Sequence, residues 1–321
     1  MLHFTLTLLL ILSGIGMEQT RSEAKSPPGR ADAKANPNGS LPEARRGFKT
    51  KLIRRESSGE PVPKPPPRLF RVVHYDSPAG KLAAYLSQSP NDGKRHPAII
   101  WITGGDCNTI DEIWKEAPAD NDQTAGAFRK AGIAMMYPSL RGGNNNPGFR
   151  EGFFGEVDDI LAASDLLARQ DFVDPKQIYL GGHSTGGTLV LLVAASGNRF
   201  RAVFSFGPAH DVRGYPPEYI PFDTSNRREI ELRSPILWVD SMRSPVYIFE
   251  GTEEPCNLNS VKALARASKN PLVHVHTVAG ANHFSILSPV TRLVASKVLR
   301  DKGPTTNLTF TEAELNRLFA R

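Results

Sequence analysis

From residue 69 onward, short hydrophobic runs alternate with segments whose hydrophobic residues recur every three or four positions. The short runs are typical of buried strands, and the periodic segments are typical of helices that cover a sheet. The predicted strands are 69–75, 81–87, 98–102, 133–137, 178–182, 202–206, 246–250 and 272–278. The predicted helices are 123–131, 154–169, 188–195, 289–299 with Ser288 as N-cap, and a short one capped by Thr311.

This order of elements predicts an α/β fold. Residues 77–80 join the first two strands into a hairpin, and the later strands alternate with helices. That alternation indicates a mostly parallel sheet with helices on both faces. Such sheets bind ligands at the carboxyl ends of their strands. We therefore expect functional residues on the loops at that edge, where residues 207–243 form an insertion suited to a short lid.

The first 67 residues differ in composition from the rest of the chain. Residues 4–14 are apolar, and Ser22-Glu23-Ala24 is a small-x-small cleavage site. Residues 1–24 are therefore predicted to be the signal peptide of an exported, periplasmic or extracellular protein; an uncleaved membrane anchor is the alternative. Residues 25–67 contain nine prolines and many charges, which predicts a disordered or extended linker ahead of a folded domain at 68–321.

The positive charge is concentrated in the N-terminal part. The whole chain carries a net charge of +6, while residues 21–68 alone hold twelve basic and five acidic residues. The rest is close to neutral, which argues against nucleic-acid binding. We expect the basic segment to be solvated, with a weak contact to a membrane surface as the alternative. The two cysteines, Cys107 and Cys256, are expected as free thiols, with a disulfide as the alternative.

One motif stands out at the predicted active edge. Gly182, Ser184 and Gly186 form the pattern G-x-S-x-G between a predicted strand and a long apolar helix. This context predicts a nucleophile elbow, a sharp turn that exposes the serine at the sheet edge. The alternative is a glycine-rich turn without chemistry. A serine nucleophile needs a base, and His283 follows the last predicted strand, where a base is expected.

The other histidines are predicted to have structural roles. His183 adjoins the serine, so its side chain is expected to point away and pack; His210 is also expected to pack, at the edge of the pocket. His274 and His276 alternate on a strand but lack a third ligand, so ordinary strand positions are favoured over a metal pair.

Several stretches resemble the α/β-hydrolase superfamily and, within it, the catalytic domain of the prolyl oligopeptidase group. The resemblance covers about residues 69–302 and depends mainly on the Arg-Gly loop 137–143, residues 173–178 before the elbow strand, and 280–284 around His283. It implies an α/β-hydrolase fold, a mostly parallel central sheet with helices on both faces.

The resemblance also implies the remaining site residues. The group's acid follows the glycine at its strand end by three residues, which is Glu254 here, with Glu253 as the fallback. The oxyanion hole would use the backbone N–H of Thr185 and one from Gly104 or Gly105. Relatives often carry histidine or tyrosine at the position of Thr103. This departure weakens the peptidase assignment more than the serine hydrolase assignment.

The sequence thus predicts a serine hydrolase that cleaves peptide or acyl-amide bonds through an acyl-enzyme on Ser184. The partner is a small peptide or ester substrate, and the chemistry needs no cofactor or metal. A carboxylesterase acting on small esters is the alternative, and a non-catalytic binding protein with this fold is a further one.

Overall fold

The computed structural model describes residues 39–320. The predicted signal peptide, 1–24, and the first part of the predicted linker, 25–38, lie outside the described residues. Across residues 39–320, no helix combines the length and the apolar character needed to cross a membrane.

Eight strands form one sheet in the order β1-β2-β4-β3-β5-β6-β7-β8. β1 pairs antiparallel with β2, and β2 with β4, while all other neighbours are parallel. This confirms the predicted α/β fold with its N-terminal hairpin. The strands are β1 Phe70–Ser77, β2 Gly80–Ser87, β3 His96–Ile102, β4 Ala134–Pro138, β5 Val173–His183, β6 Val203–Phe206, β7 Val246–Glu253 and β8 Val273–Asn282.

Helices cover both faces of the sheet because each central strand is apolar on both sides. On β3, Ile100 and Ile102 belong to one core, and Ile99 and Trp101 to the other. Alternate residues of a strand point to opposite faces, so a doubly covered strand is a continuous hydrophobic run. The helices are α1 Leu41–Arg45, α2 Ala127–Lys130, α3 Glu156–Ala168, α4 Thr185–Ala195, α5 Arg227–Glu231, α6 Leu258–Ala267, α7 Leu287–Val298 and α8 Glu312–Arg317.

Two details of the predicted helices are wrong and one is confirmed. The helix predicted at 123–131 is shorter and consists of α2 alone, because Asp122 accepts a hydrogen bond from the Thr124 N–H at 3.1 Å and the chain forms a turn there. Helix α7 begins before Ser288, so Ser288 is not its N-cap; the following proline is tolerated within a first turn. Thr311 does cap α8, where its hydroxyl accepts from the N–H of Glu314 at 3.2 Å.

Residues 39–67, here called the strap, contradict the prediction of a disordered linker. Leu41 is fully buried, and Leu52 forms a β-bridge with Phe222 in the insertion after β6. The N–H of Ser58 donates to the carbonyl of Gly142 at 2.8 Å. The composition argument fails because the strap's polar groups have fixed partners on the domain.

The strap is joined to the insertion through a buried ion pair. Arg233, fully buried, donates to the carboxylate of Glu229 and, at 2.6 Å, to the hydroxyl of Thr50 in the strap. Glu229 also accepts from the Thr50 hydroxyl and from the Lys51 N–H, both at 2.8 Å. Arg233 also donates from Nε to the carbonyl of Glu151 at 3.0 Å, so three separate segments of the chain depend on one guanidinium group.

Replacing Arg233 by methionine is expected to lower the free energy of unfolding by about 3–5 kcal/mol, because the buried carboxylate of Glu229 loses its counter-charge. The matched control is Arg227→Met. The Arg227 side chain is 92% exposed in its pair with Glu231, so the change should be under about 1 kcal/mol. Urea denaturation measures the free energy of unfolding of both variants. Equal losses in the two variants would contradict the assigned role of Arg233.

Candidate active site

The elbow predicted from G-x-S-x-G is present. Ser184 lies between β5 and α4 with φ +54° and ψ −112°, in the region that side chains rarely adopt. A Cβ on Gly182 would lie 2.6 Å from the carbonyl oxygen of Gly186, so only glycine permits the close turn. The Ser184 N–H donates to the carbonyl of Phe206 at 2.7 Å. The turn thus places a partly exposed hydroxyl at the carboxyl edge of the sheet.

His283 follows β8 and faces a buried carboxylate. Its Nδ1 lies 3.1 Å from Oε2 of Glu250, which is fully buried near the end of β7. The second carboxylate oxygen of Glu250 accepts the N–H of Gly251 at 3.0 Å. With both oxygens engaged, Glu250 fixes the ring of His283 and directs Nε2 away from itself.

The residues expected to orient His283 do not contact it. The carboxylate of Glu254 accepts the backbone N–H of Cys256 at 3.1 Å, and Glu253 accepts the hydroxyl of Thr252 at 3.3 Å. Both glutamates are exposed. The spacing prediction of Glu254, and its fallback Glu253, are therefore corrected to Glu250 as the partner of His283. The reason is that β7 continues to Glu253, so the loop begins later than expected.

Sequence reasoning missed Glu250 by treating it only as the last residue of a strand. A signal was available, because Val246–Glu250 is apolar except for one glutamate at its carboxyl end. A lone acid in a buried strand, at the edge where chemistry is expected, requires a partner. The loop around Glu254 still positions the histidine, since the carbonyl of Pro255 accepts the N–H of His283 at 2.9 Å.

Gly207, which follows β6, packs directly on the His283–Glu250 pair. It has φ +56°, and a Cβ there would lie 2.4 Å from Cε1 of His283 and 2.5 Å from Oε2 of Glu250. Any larger residue must displace one of the two side chains.

Gly207→Ala is expected to lower kcat about 100-fold, because small misplacements of catalytic groups have effects of this order. The positive φ should also cost about 1–3 kcal/mol of folding free energy. Gly214→Ala is the control, since the nearest atom to its Cβ is 3.8 Å away. Activity assays together with thermal melts separate the two effects. A Gly207→Ala enzyme with unchanged kcat would show that this packing is not needed.

The groups predicted for the oxyanion hole lie around Ser184. Thr185 is the first residue of α4, so its N–H has no acceptor within the helix. Its hydroxyl donates to the carbonyl of Gly105 at 2.8 Å, which joins the loop after β3 to the elbow. Gly104 lies beside Ser184, with a virtual Cβ 3.2 Å from the serine Cβ, and its N–H donates to Oε1 of Gln123 at 3.2 Å.

The remaining histidines occupy three different environments. His183 is buried, with Nε2 2.9 Å from the carbonyl oxygen of His283, so it does more than pack. His210 Nδ1 lies 2.9 Å from the hydroxyl of Ser260. His274 and His276 stack on Tyr247, and within residues 39–320 no group of acidic, histidine or cysteine residues could hold a metal ion.

The two cysteines are both free thiols. Cys107 is buried and Cys256 half-buried, and burial raises the pKa of both. An open groove of about 460 Å³ lies elsewhere, between α1 and α3, and includes none of the site residues described above.

His276 is expected to destabilise the protein in acid. Burial lowers its pKa to about 4, from the ordinary value of 6.5. As the pH falls below 6.5, His276 becomes protonated in the unfolded chain but stays neutral in the folded one. The free energy of unfolding therefore falls until about pH 4, where the folded protein also binds the proton. His276→Phe should lessen this loss between pH 7 and pH 4.5, measured by urea denaturation. The exposed His74, changed to Phe, is the control. Parallel losses in wild type and His276→Phe would exclude His276 as the cause.

A comparison with protein families identifies the family of this chain. The family model Peptidase_S9, the prolyl oligopeptidase family, matches residues 121–297, more than half of the chain. The chain therefore belongs to the prolyl oligopeptidase family, serine peptidases of the α/β-hydrolase superfamily. This confirms the predicted family. No curated protein matches the sequence.

Solved structures with the same fold are distant in sequence and much longer. Porphyromonas gingivalis dipeptidyl peptidase 4 is 18% identical with a TM-score of 0.59, covering 72% of this chain and 35% of that one. A puromycin-hydrolyzing peptidase of Mycobacterium tuberculosis is 20% identical with a TM-score of 0.58, covering 75% and 40%. Pyrococcus horikoshii acylaminoacyl peptidase is 15% identical with a TM-score of 0.59, covering 77% and 43%. This chain thus spans less than half the length of each.

Proposed function

We propose that this protein cleaves peptide or acyl-amide bonds through an acyl-enzyme on Ser184, with His283 as general base and Glu250 as its orienting acid. The observation that carries the proposal is the 3.1 Å contact between His283 Nδ1 and the buried Oε2 of Glu250. A carboxylate there holds the proton on Nδ1, which leaves Nε2 free to take one. The hydroxyl of Ser184, at the elbow, supplies the proton that Nε2 takes.

In the proposed reaction, Ser184 Oγ attacks the scissile carbonyl carbon while His283 Nε2 takes the hydroxyl proton. The tetrahedral oxyanion forms beside the N–H groups of Thr185 and the Gly104–Gly105 loop. His283 returns the proton to the leaving amine as the C–N bond breaks. Water then attacks the acyl-enzyme with the same base, releasing the acid and restoring the serine.

Among the described residues, Ser184 Oγ has no hydrogen-bond partner in the free enzyme. We propose that His283 Nε2 approaches this oxygen when substrate binds. Such contacts are often long in free enzymes and tighten with substrate. In addition, Oε1 of Gln123 accepts the Gly104 N–H at 3.2 Å, and an oxyanion would have to replace it there.

Two experiments test the proposed function. A fluorophosphonate probe labels only an activated serine, so labelling of the wild-type protein at Ser184, found by peptide mass, supports the triad. A panel of aminoacyl-arylamides and short-chain nitrophenyl esters then distinguishes the bond. We expect higher kcat/KM for the arylamides. Turnover confined to esters would favour a carboxylesterase, and no labelling and no turnover would favour a binding protein.

We also propose that the protein is exported. The apolar residues 4–14 and the small-x-small site at 22–24 support this proposal. Cell fractionation followed by N-terminal sequencing of the mature chain tests it. A chain that begins near Lys25 is expected, an intact N-terminus in the membrane fraction indicates an anchor, and an intact chain in the cytoplasm contradicts export.

A further inference from the structure

The backbone of His283 is held by only two groups of the described chain. His283 lies after β8 and before α7, so neither the sheet nor the helix takes its polar groups. Its N–H donates to the carbonyl of Pro255 at 2.9 Å. Its carbonyl oxygen lies 2.9 Å from Nε2 of His183, the residue directly before Ser184. One of these two anchors therefore belongs to the elbow itself.

Nε2 of His183 faces a main-chain carbonyl oxygen and Nδ1 faces Oε1 of Gln123, and both oxygens only accept, so a neutral ring donates to one of them. A side-chain amide can turn to present its NH2 group, whereas a main-chain carbonyl cannot, so we place the proton on Nε2. Nδ1 then carries a lone pair and faces Oε1 of Gln123 at 3.0 Å, a contact that contributes no hydrogen bond to the neutral ring. The carbonyl of His283 is thus the partner that holds the His183 side chain in place.

The two imidazole rings are also packed together. Their centroids are 4.4 Å apart with a tilt of 44°, and the ring of Phe284 lies edge-on to both. A Cβ on Gly104 would lie 2.8 Å from Nδ1 of His183, so the glycine loop closes the other side. The His183 ring therefore joins the elbow to the loop after β3 and to the loop after β8.

We propose that His183 is a positioning residue that holds the main chain of His283 against the elbow, so that the His283 ring meets both Glu250 and Ser184. This proposal rests on the proposed function for its effect on turnover. Its structural content, the Nε2–H donor to the His283 carbonyl, is independent of that function.

The neutral state of His183 suits this role. Burial, together with the neighbouring His283, lowers its pKa to about 3 from the ordinary value of 6.5. During the proposed reaction His283 becomes an imidazolium, stabilised by the carboxylate of Glu250. A cationic anchor beside it would oppose that charge, whereas a neutral imidazole supplies a donor without one.

The test compares two substitutions of one residue. His183→Phe keeps a ring but loses the donor, and His183→Gln keeps an N–H donor at nearly the position of Nε2. We expect His183→Phe to lower kcat and the probe-labelling rate about 10- to 100-fold with KM within threefold. His183→Gln should recover to within about fivefold of wild type. His274→Phe, on the outer strand β8, is the control and should leave activity unchanged.

Nuclear magnetic resonance of the imidazole groups gives a readout that does not need turnover. In wild type, we expect His183 as the Nε2–H tautomer and neutral at pH 5. The Nδ1 proton of His283, hydrogen-bonded to Glu250, should give a downfield signal that is present in His183→Gln and lost in His183→Phe.

The outcomes separate the two proposals. If wild type shows the expected tautomer and downfield signal but neither labels nor turns over, the proposed function fails and the positioning role stands. If His183 carries its proton on Nδ1, the donor does not exist and the positioning role is overturned, even if His183→Phe does not fold. Unchanged kcat and an unchanged His283 signal in His183→Phe would overturn it as well.

Discussion

Ser184→Ala is expected to abolish turnover and probe labelling, a loss on the order of 10⁶-fold in kcat, as for a serine-protease nucleophile. The physical reason is that Ser184 supplies the oxygen on which the acyl-enzyme of the proposed reaction forms. Folding should change by less than about 0.5 kcal/mol, because the hydroxyl makes no hydrogen bond to the described residues and is partly exposed. Steady-state kinetics, labelling and thermal melts give the three readouts.

The control for Ser184→Ala is Ser57→Ala, an exposed serine in the strap. It should retain wild-type labelling and turnover. Wild-type activity in Ser184→Ala would remove the proposed mechanism altogether. A large drop in melting temperature for Ser184→Ala would instead show that the strained elbow depends on the hydroxyl.

Glu250→Gln is expected to lower kcat about 10⁴-fold, because an amide no longer enforces the correct tautomer of His283 or stabilises its charged form. The substitution is isosteric, and the amide oxygen can still accept the N–H of Gly251, which Glu250 does at 3.0 Å. The variant should therefore fold. Kinetics on the best substrate of the panel, with a circular dichroism spectrum, measures the effect.

The matched controls are Glu253→Gln and Glu254→Gln, within four positions of Glu250. Both carboxylates are exposed and accept hydrogen bonds from groups other than His283, so each change should lower kcat less than about tenfold. A larger loss in Glu254→Gln than in Glu250→Gln would restore the spacing rule of the family. It would also require the loop after β7 to rearrange when substrate binds.

Much of the fold was determined by local patterns. The alternating hydrophobic runs place all eight strands within a few residues, because strands covered on both faces must be apolar throughout. The elbow at Ser184 and the position of His283 after the last strand follow from the same patterns. They depend on short segments whose chemistry and conformation are set by their own residues.

The partner of His283 was decided by tertiary structure. Counting from Gly251 assumes that the strand ends there, whereas β7 extends to Glu253 and shifts register against β8 between Gly251 and Glu253. Glu250 is therefore a buried residue within the strand that reaches the histidine, whereas Glu253 and Glu254 are exposed at the strand end. A strand end depends on pairing with a neighbour some thirty residues away in sequence, which spacing within the loop does not contain.

The strap and His183 show the same limit. The charges and prolines of residues 39–67 indicate disorder when read alone, but Thr50 and Lys51 meet Glu229 nearly 180 residues later. His183 is an ordinary neighbour of the serine in sequence and an anchor for His283 in space. The sequence by itself determined the elements and the nucleophile, which are local. Only the tertiary structure decided which distant groups satisfy the buried charges and hydrogen bonds, because those partners are brought together by folding.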